Sequence, residues 1–147
     1  WTYPVGEISF EKRKLLEITE ECLYKGLEMV FPDNYTGDIA NAIQTYAESN
    51  GFSVVRELVG HGIGKRMHED PPIPNYGNPK TGIKLKAGMT IAIEPMINAG
   101  SKEIMLLDDN WTIVTRDGKP SAHFEHTVLI SENGYEILTK ESETSGK

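Results

Sequence analysis

The hydrophobic period of the chain changes near Phe52, and that change constrains the fold more than any other feature. Before it, apolar residues recur at helical spacing. Leu16, Leu23, Leu27 and Val30 form one stripe, opened by a cap at Ser9 and closed after Met29 by Pro32 and Asp33-Asn34. Ile39, Ala42, Ile43, Tyr46 and Ala47 form a second, running from an N-cap at Thr36 to Asn50-Gly51. After the change, the apolar runs are short and rich in branched and aromatic residues: Val54-Val55, Leu58-Val59, Met89 to Ile93, Ile104 to Leu107, Trp111 to Val114, Phe124 to Ile130 and Tyr135 to Leu138. Asp108-Asp109-Asn110, Asp117-Gly118 and Asn133-Gly134 are tight connections of the kind that join neighbouring antiparallel strands. The pattern predicts an α/β chain of the α+β type, with two helices packed on a curved, mainly antiparallel sheet.

A chain of 147 residues suits one domain, and its 38% apolar and 25% charged content is that of a globular protein. We expect that domain over residues 1–140, followed by a polar tail at 141–147. The net charge of −7 and the scattered lysines and arginines argue against nucleic acid as a partner. No apolar run reaches the ~20 residues that span a bilayer, and no signal-peptide pattern opens the chain. A single Cys22, inside the first helix and without a histidine or basic partner near it in sequence, reads as a structural thiol in a reducing compartment. The cytoplasm is the expected location. Trp1, Tyr3 and Val5 alternate as in a half-buried strand, and no initiator methionine precedes them. Such a strand needs a neighbour, so we expect the native product to continue upstream.

Three positions carry the chemistry. His61 stands among glycines in Gly60-His61-Gly62-Ile63-Gly64, Glu94 follows Ile91-Ala92-Ile93, and Glu125 lies in His123-Phe124-Glu125-His126-Thr127. A carboxylate in an apolar strand pattern is costly to desolvate unless an arginine or a metal meets it. Taken singly, each residue has an ordinary explanation: a hydrogen-bonded core histidine, an ion-paired glutamate, the exposed side of an edge strand. The glycines shift the balance, because they remove side chains where a backbone bends or approaches something closely. A long loop follows, Gly62 to Gly82, with Pro71, Pro72, Pro74 and Pro79, and it holds His68 near enough to fold back over His61.

Gly60 to Gly64, Met67-His68-Glu69 with Pro71, Ile93-Glu94-Pro95-Met96 with Asn98-Ala99-Gly100, Trp111, and Phe124-Glu125-His126-Thr127 together resemble the type I methionine aminopeptidases. These belong to the pita-bread metallopeptidases, which also include prolidase and aminopeptidase P. The resemblance runs from Val5 to about Leu138. It implies a pita-bread fold and a pair of divalent ions, cobalt, manganese, iron or zinc, with His61, Glu94 and Glu125 as ligands and Glu125 bridging. It further implies that Glu94 shuttles a proton, that His68 donates a hydrogen bond to the developing oxyanion, and that Met67 and Trp111 line the pocket for the methionine side chain. For Met67 and Trp111, ordinary core packing is the competing reading. The substrates implied are the N-terminal methionyl peptides of nascent proteins, with ribosome association left open and a monomer expected for the complete enzyme.

Met96 after Pro95 and His126-Thr127 after Glu125 resemble methionine rather than proline specificity, and the uninterrupted run from His68 to Glu94 lacks the inserted domain of the type II enzymes. Two aspartate ligands and a substrate-contacting histidine of the family lie upstream of the segment matching Val5-Gly6, and Asp33, Asp38 and Asp70 do not match them. At most one well-formed metal site is therefore expected here, and residues 1–147 alone are expected to be inactive. The alternatives are an X-Pro aminopeptidase or prolidase, and a catalytically dead module that binds peptides or proteins.

Overall fold

A computed structural model describes residues 1–140; the polar tail expected at 141–147 lies outside the described residues. Helix α1 spans Phe10–Leu27 and begins at Ser9, whose hydroxyl accepts from the Lys12 N–H. Helix α2 spans Thr36–Ser49, so the cap is Tyr35, one residue earlier than expected. Two side chains explain the shift. The Asp38 carboxylate accepts from the Tyr35 N–H at 2.8 Å, closing the N-terminus from within the first turn. The Thr36 hydroxyl is instead used as an acceptor for the Ile83 N–H at 3.1 Å, which pins the end of the long loop to the helix.

The helices lie against each other through Gly26, where a Cβ would press on Ile43 at 2.9 Å, so the missing side chain permits the close approach. Leu15, Leu23 and Leu27 of α1 and Ile39 and Ile43 of α2 are fully buried and form the helical half of the core. Burying each such side chain contributes about 1.5–3 kcal/mol. Cys22 is also fully buried, and burial pushes its thiol up to about 12.

Among the described residues ten strands follow: β1 Ser53–Val54, β2 Gly60–Gly62, β3 Glu69–Ile73, β4 Thr90–Ile93, β5 Met96–Asn98, β6 Ile104–Leu106, β7 Ile113–Thr115, β8 Ser121–His123, β9 His126–Ser131 and β10 Gly134–Ile137. Every pairing is antiparallel. The strands form a five-stranded sheet ordered β10-β9-β4-β2-β3, a three-stranded sheet ordered β1-β5-β8, and the hairpin β6-β7. Helix α1 packs on β4, β5 and β8, and α2 on β1 and β3. Ile91, Ile93, Ile97, Val128 and Ile130 supply the sheet side of the core.

Four local expectations change. Leu58-Val59, expected as a strand run, lies between β1 and β2 and belongs to neither. Asp108 to Asn110 joins the paired strands β6 and β7, and Asn133-Gly134 joins β9 and β10, but Asp117-Gly118 joins β7 and β8, which do not pair. Part of the long loop is a strand, because β3 pairs with β2 despite Pro71 and Pro72. Trp1 to Val5 forms no strand among the described residues. Trp1 stacks edge-on against Phe124 and His126, Thr2 bonds to β8, and Tyr3 and Val5 are exposed. Side-chain alternation alone does not make a strand when its backbone finds no ladder.

Candidate metal centre

Chain direction and sheet order place Glu94 and Glu125 in equivalent positions. Glu94 with Pro95 connects β4 of the larger sheet to β5 of the smaller one; Phe124 with Glu125 connects β8 of the smaller sheet to β9 of the larger. Both carboxylates therefore stand where the chain crosses between sheets. The crossings are adjacent, since the Phe124 N–H donates to the Pro95 carbonyl at 3.4 Å. The buried Asn75 amide donates to the Glu94 carbonyl at 3.1 Å and fixes that crossing from the other side.

His61 approaches from β2, with its backbone paired to Ala92 of β4 and Pro72 of β3. The flanking glycines are needed for this packing. A Cβ on Gly60 would strike the Ala92 carbonyl oxygen, and one on Gly62 the Asp70 carbonyl oxygen. His61 Nδ1 lies 2.9 Å from the Gly62 carbonyl. A carbonyl only accepts, so Nδ1 carries the proton, and in the neutral ring the lone pair is on Nε2. That nitrogen faces Glu94 Oε1 at 3.5 Å.

On the other oxygen of the same carboxylate the arrangement repeats. His123 Nε2 is 3.5 Å from Glu94 Oε2 and 4.0 Å from Glu125 Oε2. Glu94, His123 and Glu125 offer ligand atoms that all lie within 4.8 Å of one another. All three imidazole-to-carboxylate distances exceed the ~2.7–3.2 Å of a hydrogen bond. Among the described residues, no lysine or arginine pairs with Glu94 or Glu125. Glu94 thus has an imidazole nitrogen on each side, and Glu94, His123 and Glu125 converge with no lysine or arginine of the described residues to balance them. A donor set of imidazole nitrogen and carboxylate oxygen fits a borderline divalent ion, and the converging donors fit such an ion here.

Of the residues singled out in the sequence, Glu94 meets His61 directly and meets Glu125 through the group that contains His123. His61 itself is not a member of that group. His68 stands beside His61 with ring centroids 4.2 Å apart, exposed at the rim. Met67 and Trp111 are 69% and 86% exposed, so neither is a core residue, and Trp111 sits in the turn of the β6-β7 hairpin. His126, next to Glu125, points elsewhere: its ring is buried and bonds Thr139 at 2.9 Å, and burial lowers its pKa. The sequence reading overlooked His123. Its signal was present, because residues two apart in an extended segment share a face, and His123 stands two before Glu125.

The profile of metallopeptidase family M24 matches residues 1–132. The chain belongs to this family. It is 60% identical over 140 residues to methionine aminopeptidase 1 of Bacillus subtilis (strain 168), an alignment that covers 95% of this chain and 56% of that protein. Among solved structures, methionine aminopeptidase from Thermotoga maritima superposes with a TM-score of 0.92 at 52% identity, covering 95% of this chain and 56% of that one. Prolidase from Pyrococcus furiosus superposes with a TM-score of 0.71 at 27% identity, covering 94% of this chain and 35% of that one. The fold is thus the pita-bread fold, and the chain spans about half the length of the curated relatives it matches. M24 is a metallopeptidase family, and among the described residues Glu94, His123 and Glu125 form a group that could hold a metal ion.

Proposed function

We propose that residues 1–140 are part of the catalytic unit of a methionine aminopeptidase, which removes the initiator methionine from nascent proteins. One observation carries this reading: Glu94 and Glu125 meet at adjacent sheet crossings, with an imidazole nitrogen 3.5 Å from each Glu94 oxygen and, among the described residues, no lysine or arginine paired with either carboxylate. The high identity to methionine aminopeptidases, against 27% to a prolidase, favours methionine over X-Pro specificity.

In this proposal His61, Glu94 and Glu125 hold divalent metal, two ions in the complete enzyme, drawn from cobalt, manganese, iron and zinc. The metal supplies an activated water and a Lewis acid for the scissile carbonyl. The chain's own residues do the rest. Glu94, held by Asn75 and only 16% exposed, takes the proton released by the attacking water and returns it to the leaving amine. His68, at the rim beside His61, donates to the oxygen that becomes negative in the tetrahedral intermediate. Met67 and Trp111 offer exposed apolar surface for the methionine side chain. No described helix is long and apolar enough to cross a membrane. The proposed enzyme acts in the cytoplasm on N-terminal methionyl peptides. Within this proposal the complete enzyme is a monomer.

The test is to assay the protein, extended upstream to the length of its relatives, with manganese or cobalt on a Met-Ala peptide and an Ala-Pro peptide. Release of methionine with no cleavage before proline is expected. Cleavage of the Ala-Pro substrate alone would favour the prolidase alternative, and turnover of neither would favour a binding module.

A further inference from the structure

His123 has no role in the catalytic scheme above, yet its placement is unusually constrained. It ends β8, paired with Met96 of β5. The Thr2 hydroxyl grips its backbone on both sides, accepting from the His123 N–H at 2.9 Å and donating to the His123 carbonyl at 3.0 Å. The ring as a whole is 40% exposed, but its Nε2 is buried and has no hydrogen-bond partner. A buried ring nitrogen without a partner is costly, and an exposed ring could turn it to water. Here it points instead between two carboxylates.

The distances distinguish the possible reasons. At 3.5 Å from Glu94 Oε2 and 4.0 Å from Glu125 Oε2, the nitrogen is too far for a hydrogen bond to either. With bonds of roughly 2.0–2.2 Å, neighbouring donors stand roughly 2.8–3.1 Å apart on an octahedral ion and roughly 3.3–3.6 Å apart on a tetrahedral one. The first separation equals a tetrahedral edge, and the second exceeds it by a few tenths of an ångström, within the reach of a half-exposed glutamate. One divalent ion would balance both carboxylates and give Nε2 a partner.

We propose that His123 is itself a metal ligand through Nε2, and that with Glu94 and Glu125 it forms a three-donor divalent-ion site built from residues of this chain. The inference rests on the reading that these carboxylates hold metal, and extends it by a ligand and a preference. An imidazole donor favours zinc or cobalt over magnesium or calcium. It also gives Glu94 an imidazole neighbour on each oxygen, His61 on one and His123 on the other.

The test uses residues 1–147 with histidine labelled in ¹⁵N, so that the rings of His61, His68, His123 and His126 are followed separately during titration with zinc. Expected is a saturating shift of the His123 Nε2 resonance at one equivalent, with His126 unmoved. Calorimetry on His123→Gln, which keeps a hydrogen-bonding amide and loses the imidazole, should give at least about 10-fold weaker zinc binding. The spectrum of the unsubstituted chain decides the matter even if that variant folds poorly. A shift at His61 with His123 Nε2 unmoved would overturn the His123 assignment and leave the metal reading standing. No shift at either ring would remove both. Undiminished affinity in folded His123→Gln would likewise overturn the assignment.

Discussion

Gly62→Ala is the substitution that most directly probes how the centre is built. Gly62 is buried in β2 at the point where its register with β3 shifts. An added methyl would fall on the Asp70 carbonyl oxygen, 2.7 Å from the Asp70 carbonyl carbon and 3.1 Å from the Glu69 carbonyl oxygen. All three obstacles are backbone, so no side chain can swing aside; β3 itself must move. Overpacking of this kind costs about 1–3 kcal/mol, and for a chain of this length each kcal/mol lowers Tm by about 2–4 °C. Thermal unfolding followed by circular dichroism should show that loss. Gly118→Asn is the control: Gly118 has φ +70° and nothing within 4 Å of a Cβ, so asparagine should stay within about 0.5 kcal/mol. Zinc affinity should fall in Gly62→Ala as well, because His61 is the neighbouring residue and moves with β2. A Tm within about 1 °C of the unsubstituted chain would refute the idea that crowding, rather than loop flexibility, requires glycine there.

In the complete enzyme, His68→Ala should lower kcat by about 10²–10³ while changing KM little, as expected for a group acting mainly on the transition state; an unchanged kcat would remove it from the mechanism. Cys22, buried with a thiol raised to about 12, should resist alkylation at pH 8 in the native chain and react fully in denaturant, as mass spectrometry would record. Leu23→Ala, at a fully buried position in α1, should cost about 2–5 kcal/mol in urea unfolding. Asp38→Ala releases the Tyr35 N–H and the Lys80 N–H, both bound at 2.8 Å, and should cost about 1–2 kcal/mol by the same measurement.

The two helices were legible in the sequence because their period of 3.6 is a local property, and their ends were missed only where a tertiary bond intervened, as when Ile83 claims the Thr36 hydroxyl. Strand runs were legible too, but their partners were not. Asp117-Gly118 carries the same turn chemistry as Asn133-Gly134, and only sheet order distinguishes a hairpin from a crossing. Strand β3 was hidden by its prolines. For the site, the costly burial of Glu94 and the glycines around His61 singled out two residues that the fold sets 3.5 Å apart. His123 stands two residues before Glu125 on the same extended face, but that spacing alone does not say which ring nitrogen reaches the carboxylates; β8 decides it by delivering Nε2 to them.

The two crossings also make the centre a mechanical joint. Each carboxylate belongs to both sheets at once, so the gap between them is set by the angle at which the sheets meet. A rivet of charge placed there would hold that angle, and amide exchange should slow together in β4, β5, β8 and β9 when zinc binds. Conversely, a change at a buried residue on either side of the joint, such as Ile97 or Val128, alters the angle and so retunes the centre without touching it.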